Sequence, residues 1–301
     1  MTLLKRKIKI SGIAVSFFRY LIIIGLCFMI LYPLFISAVI SIMNTADIYD
    51  STVRFIPKTP TILNYTAAIH FIDYWAMLAK SVLFDGIYTL IEILICLSVA
   101  YGFARFKFPG HKLFFSFVII TLIIPTHIYL MPLYLSFQSW GPFNWDLIST
   151  PLPMLFMSVT GLGMRNGLII YIMRQYFSGY PKELEEAAFI DGAGTMRVFT
   201  RIMLPGAASV SMTGFMLCFV WKWTDTTYTG VFKIGEEYIW TKMASFQQLI
   251  NTSGGTLVSD YYYQAILKNA SIILYIVPLL LLFLFFKRFL VESIETTGLV
   301  G

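Results

Sequence analysis

Charge is scarce in this chain. Asp, Glu, Lys and Arg make up 13% of its 301 residues, too few to coat a soluble domain of that length, while 58% are hydrophobic. Mean hydropathy is +0.76, and a chain this apolar reads as a polytopic membrane protein. Cysteine is scarcer still. Cys27, Cys96 and Cys218 each lie inside an apolar run with no CxxC spacing, which argues against a disulfide framework or thiolate metal site and leaves packing as their role. His70, His111 and His127 are dispersed, and GxSxG, HExxH and GxxxxGK[ST] do not occur. The chain therefore offers no catalytic constellation, and it has no phosphate loop with which to hydrolyse ATP.

Long apolar runs are what it has in abundance. A spanning helix needs about 20 such residues, and segments near 15–43, 81–104, 113–137, 150–176, 206–226 and 265–289 qualify. Six spans place both termini on one side of the membrane. Lys5, Arg6, Lys7 and Lys9, then Arg105, Lys107 and Lys112, then Arg174, Lys182, Arg197 and Arg201, and last Lys287 and Arg288 all fall on that side, which the positive-inside rule makes cytoplasmic. The opposite face carries Arg54 and Lys58 in its first loop and Lys233 and Lys242 in its last. The net charge of +6 is thus topology, and no nucleic-acid motif accompanies it. The apolar run to Met43 is too long for the core of a secretory signal, so it reads as an uncleaved first span.

The spans are not uniform. Pro125 and Pro132 interrupt the third, Gly161, Gly163 and Gly167 loosen the fourth, and Pro278 breaks the last. Such breaks are tolerated where neighbouring helices or a cavity satisfy the freed backbone groups. Charged groups inside spans are costly, so Glu92, Arg165, Lys222 and Asp225, with Asn166, stand out. Glu92, one turn from Tyr88, can accept hydrogen bonds from a solute hydroxyl or bond a neighbouring span. Arg165 and Asn166 either line a pathway or bond exposed carbonyls. Trp221 and Trp223 offer aromatic faces to the apolar face of a solute ring, or serve as interfacial belt residues.

One polar island stands apart, running from Pro181-Lys-Glu-Leu-Glu-Glu-Ala-Ala-Phe-Ile-Asp-Gly192 through Arg201-Ile-Met-Leu-Pro205. Pro181 suits a first helical position, Glu183, Glu185 and Glu186 complement a helix N-terminus, and Gly192 can close the helix in a left-handed conformation after about three turns. Leu184, Ala187, Ala188 and Asp191 share one side of it, and Phe189 and Ile190 the other, flanked by Glu185 and Glu186. Paired alanines admit another backbone closely, and a carboxylate beside them can meet a basic partner. Thr195 can cap a second short helix that ends near Pro205.

Glu186-Ala187-Ala188, three residues, Gly192, nine residues, then Ile202-Met-Leu-Pro205 resemble the EAA loop of ABC-importer permeases. The flanks Pro181-Lys-Glu-Leu-Glu-Glu and Ile190-Asp-Gly-Ala resemble its carbohydrate-uptake branch, and so do Ala104-Arg-Phe-Lys-Phe-Pro-Gly110 and the tail from Phe289 to Gly301. Trp221-Lys-Trp-Thr-Asp225 is similar to the family's Trp-x-Trp-Asn-Asp segment, with Thr224 in place of Asn.

The resemblance implies an all-α membrane protein, the six-helix type I ABC-importer transmembrane domain, multi-pass in the plasma or inner membrane. It divides the chain into a cytoplasmic segment 1–14, a permease domain 15–289 with its coupling loop at 177–205, and a cytoplasmic tail 290–301. It implies ATPase coupling through Glu185, Glu186, Ala187, Ala188, Asp191, Gly192, Ile202, Leu204 and Pro205. Tyr88, Glu92, Arg165, Asn166, Trp221, Trp223 and Asp225 are candidates for the substrate pathway. A second permease, an ABC ATPase dimer carrying ATP and Mg, and an extracellular or periplasmic solute-binding protein are the implied partners besides lipid, and this chain itself holds no cofactor. The solute is a sugar or oligosaccharide. The alternatives are an EAA-type permease for a polyol, glycerophosphate or amino acid, and a carrier or membrane enzyme that works without an ATPase.

Overall fold

The computed structural model describes residues 2–234, 238–244 and 261–298. Helix dominates them. In chain order the helices are α1 (Thr2–Ser41), α2 (Thr45–Tyr49), α3 (Leu63–Phe71), α4 (Tyr74–Arg105), α5 (His111–Ile123), α6 (Thr126–Gln138), α7 (Leu152–Thr160), α8 (Asn166–Gly179), α9 (Glu183–Ile190) and α10 (Thr195–Val198). A π-helical turn (Phe199–Met203) then leads into α11 (Leu204–Gly206), followed by α12 (Ala208–Trp223), α13 (Thr227–Val231), α14 (Ile239–Ala244) and α15 (Tyr261–Gly298). The Ser253-Gly-Gly255 segment, in the chain between α14 and α15, lies outside the described residues.

Turn chemistry sets where the spans bend. From Val15, α1 is long and apolar enough to cross a membrane, as are α4 and the Tyr261–Ser293 part of α15. The α5 and α6 helices are long and apolar enough only when taken together, with a 102° bend at Pro125, and so are Thr195–Gly206 and α12, with a 74° bend. The expected fourth span is divided between α7 and α8, with Gly161 at φ 72° and Arg165 at φ 57° where the chain reverses its backbone hand. Pro278, by contrast, does not break the last helix, which runs unbroken through it. One missing N–H removes one rung, and the long apolar ladder on either side holds.

The chain falls into two compact units. The first, Met1–Ile72 with Ser245–Ile276, contains α1, whose apolar side chains from Val15 to Phe35 are almost all exposed. Cys27 is among the exposed residues, so packing describes only Cys96 and Cys218. The segment after α1 folds back on its end: Asn64 donates to the carbonyls of Ser41 and Met43, each at 2.9 Å, and the Ser41 and Tyr65 hydroxyls meet at 2.7 Å. On the loop surface Lys58 pairs with Asp50 and holds its carboxyl well below the usual carboxylate range.

The second unit, Asp73–Ala244 with Val277–Gly301, is built around α4. Its Ile93, Cys96, Leu97 and Ala100 pack with Ile169, Met173 and Phe177 of α8 and with Val210 and Cys218 of α12. A second cluster joins Tyr88 to Phe137, Met157, Tyr228 and Phe232. Lipid tails are as apolar as these side chains, so close packing rather than water exclusion holds such helices together, and small residues permit it.

Gly167 is such a contact. A Cβ there would lie 2.8 Å from the Val118 carbonyl oxygen and 3.1 Å from Leu122 Cδ2, so α5 and α8 would have to part. Gly167→Ala is expected to cost about 1–3 kcal/mol, measured as a lower midpoint in thermal unfolding of the detergent-purified protein. A midpoint equal to that of the parent protein would exclude this close approach.

Candidate functional site

The polar island folds as a bracket. The α9 helix starts two residues after Pro181, with Glu183, Glu185 and Glu186 in its first turn, where the exposed backbone N–H groups favour negative charge. It spans eight residues, shorter than the three turns expected. Gly192 ends it at φ 80°, its N–H bonded to the Phe189 carbonyl at 3.0 Å and the Ala193 N–H bonded to the Ala188 carbonyl at 2.9 Å. Those two bonds form a Schellman motif. The cap of α10 is Gly194 and not Thr195, whose hydroxyl makes no capping bond because Thr195 is already the first helical residue.

The second arm returns to the membrane helices through hydrogen bonds. Tyr176 donates from its hydroxyl to the Gly206 carbonyl at 2.5 Å, and Ser209 donates to the Phe289 carbonyl at 3.1 Å. Ile202 and Leu204 are half-buried against the core, while Pro205 is exposed.

The acids of α9 divide by environment. Glu185 is buried and forms an ion pair with Arg105 at the end of α4. The Tyr101 hydroxyl donates to its other oxygen at 3.2 Å, and Arg105 also donates to the Tyr180 carbonyl at 2.7 Å. Glu186, Ala187 and Asp191 are exposed, and Ala188 packs partly on the core. Leu184, Phe189, Ile190 and Met196 are exposed as well, Ile190 to 86%. The bracket is thus held from behind by a buried ion pair and presents an apolar tip in front.

A second polar group is buried among the membrane helices. Glu92 on α4 and Lys222 on α12 form an ion pair, the carboxylate fully buried and the lysine nearly so. Asp85, also buried, lies within electrostatic reach of Lys222 and Asp225. The Asp225 carboxylate accepts the backbone N–H groups of Thr227, Tyr228 and Thr229 at 3.0, 3.2 and 2.9 Å and so caps α13. Trp223 is buried and stacks on Phe219, and the Tyr88 hydroxyl donates to the Pro151 carbonyl at 3.2 Å. Glu92, Tyr88, Trp223 and Asp225 are therefore interior to the subunit.

Arg165 and Asn166 lie elsewhere, on a cavity of about 350 Å³ where the broken spans face each other. The Arg165 guanidinium sits 4.8 Å from the centre of the Trp221 ring. Gly163 admits the close approach behind them: a Cβ there would stand 2.8 Å from Glu92 Oε1 and 3.0 Å from Asn166 Oδ1.

Reading the sequence missed Asp85, Tyr101 and Arg105. Asp85 carried a usable signal, a carboxylate inside a span. Arg105 read as a topological charge, and nothing local marks it as the partner of Glu185.

Comparison with known proteins accounts for this architecture. Residues 92–295, more than half of the chain, match the family described as the inner membrane component of binding-protein-dependent transport systems. The Probable ABC transporter permease protein PH1036 of Pyrococcus horikoshii is 31% identical, over 81% of this chain and 82% of its own length. The sn-glycerol-3-phosphate transport system permease protein UgpE of Yersinia pestis is 27% identical, over 92% of this chain and 96% of its own. A solved bacterial ABC transporter involved in the import of the acidic polysaccharide alginate shares the fold, with a TM-score of 0.73 over 92% of this chain and 97% of that one at 18% identity. A multi-pass helical chain with this match belongs to the family of inner-membrane permeases of ABC importers.

Proposed function

We propose that this permease forms, with a second permease, the membrane pathway for a sugar or a similarly hydroxylated solute, and that residues 181–205 couple it to a separate ATPase dimer holding ATP and Mg. An extracellular or periplasmic binding protein delivers the solute, and both termini face the cytoplasm. One observation carries the coupling assignment: the exposed apolar tip of Leu184, Phe189 and Ile190, with Met196 of α10 beside it in the chain, stands on a helix tied by Glu185 to Arg105 of α4. An apolar tip fits a cleft in a partner, and the buried pair behind it transmits displacement to the core helix. Closure of the ATPases on nucleotide would then move α4, and with it the helices packed against it, as a body.

Gly192→Pro tests the assignment. Proline holds φ near −65°, whereas Gly192 needs φ 80°, so the two arms cannot keep their angle. The expected result is a variant inserted at the parent level that no longer supports uptake. Normal uptake by such a variant would overturn the coupling role.

A second reading, a glycerophosphate as solute, is favoured by the similarity to the sn-glycerol-3-phosphate permease. Uptake of labelled maltose and labelled sn-glycerol 3-phosphate by the reconstituted importer separates the two.

A further inference from the structure

The cavity between α5, α6 and the break joining α7 to α8 is lined by Thr121, Tyr129, Ser136, Gly163, Arg165 and Asn166, among others. Among the described residues Arg165 is the only charged one on its wall. It is exposed, and no carboxylate pairs with it among the described residues. An arginine without a counter-charge in the helical domain of a permease marks a candidate solute or ion pathway. Its backbone is also held at φ 57°, a conformation that a non-glycine residue adopts at some cost and that clusters at binding sites.

Asn166 supplies the second, independent observation. It is 3% exposed, yet neither its Nδ2 nor its Oδ1 has a hydrogen-bond partner. A buried amide left open as both donor and acceptor carries an unrecovered desolvation cost, which a ligand hydroxyl recovers once the side chain turns toward the cavity it lines. Both residues also stand at the N-terminus of α8, a helix of 14 residues whose N–H groups favour negative charge. Behind the wall the Glu92 carboxylate is paired with Lys222, so its charge is offset and Arg165 dominates the field. A cation–π contact with Trp221, 4.8 Å from the ring centre, holds the guanidinium there.

We propose that this cavity is a solute subsite for an anionic group, a carboxylate or phosphate, on a hydroxylated solute, with Arg165 binding the anion and Asn166 bonding an adjacent hydroxyl. This deepens the importer reading above and rests on it. The chemistry is shared by a solute and by the headgroup of an anionic lipid, and the cavity takes the solute.

The test uses the full chain with its co-purifying subunits in phosphatidylcholine proteoliposomes. Cys27 is changed to alanine because it is the exposed cysteine, and Ser136→Cys places a thiol on the cavity wall. Its reaction with a sulfonate-bearing and a trimethylammonium-bearing methanethiosulfonate is compared with that of 2-mercaptoethanol, which sets the intrinsic ratio. The expected result is an enrichment of about tenfold in favour of the anionic reagent, as a charged cleft produces. Arg165→Gln should abolish it, Arg165→Lys should retain much of it, and sn-glycerol 3-phosphate should protect the thiol where glycerol does not.

A ratio equal to the intrinsic one, or one unmoved by Arg165→Gln, overturns the subsite, and so does a thiol that neither reagent reaches. Loss of the preference only when phosphatidylglycerol is added would assign the site to lipid and overturn the solute reading. Failure here is separable from failure of the importer. A co-purified ATPase without charge preference removes the subsite alone, whereas charge preference without any ATPase removes the coupling assignment.

Discussion

Lys222→Met is expected to destabilise the permease by about 3–5 kcal/mol, because it leaves a fully desolvated carboxylate without its counter-charge. Glu92 is 0% exposed and Lys222 3%, and they join α4 to α12 in the middle of the second unit. A further buried carboxylate, Asp85, lies within electrostatic reach of the lysine, so its loss is felt by more than its direct partner. The double variant Glu92→Met with Lys222→Met removes charge and counter-charge together. It should recover most of the loss, since apolar replacement of a whole buried pair is often neutral or stabilising. Thermal midpoints of the detergent-purified single and double variants measure this. A single variant as stable as the parent would mean that the lysine is not what holds the Glu92 carboxylate in place.

The second large effect is expected at the other end of α4. Glu185→Gln removes the charge that Arg105 meets inside the bracket while preserving shape, and Tyr101 can still donate to the amide oxygen. Arg105 keeps its bond to the Tyr180 carbonyl, so the helix is loosened rather than lost. A weakening of about 1.4 kcal/mol corresponds to tenfold in an equilibrium, and truncating one side of a buried pair commonly exceeds that. On the proposed coupling through residues 181–205, solute moved per ATP hydrolysed by the reconstituted importer should therefore fall by about tenfold or more.

Exchanging the charges, Glu185→Arg with Arg105→Glu, should restore part of that ratio. A merely structural defect would lower transport and hydrolysis in parallel, so an unchanged ratio in Glu185→Gln would remove the pair from coupling.

The sequence alone determined what depends on near neighbours. Hydropathy over a window of about 20 residues marks α1, α4 and the last helix, each long and apolar enough to cross a membrane, since crossing lipid is a property of the segment itself. The bend at Pro125, the break at Gly161 and the end of α9 at Gly192 follow from side chains acting on their own backbone: a missing N–H at proline, a free φ at glycine. Even there, local reading overstated Pro278, where the helix continues, and gave Thr195 a cap that Gly194 provides.

Only the tertiary structure decided which charges meet. Glu92 and Lys222 are 130 residues apart in the chain, and Glu185 looks locally like the exposed Glu186 beside it. What separates the two acids is the rotation of α9 against α4, which turns one carboxylate onto Arg105 and leaves the other in solvent. Helix rotation and register are set by packing between distant segments, so the partner of each buried charge, and the cavity that leaves Arg165 and Asn166 open, became visible only once those segments were assembled.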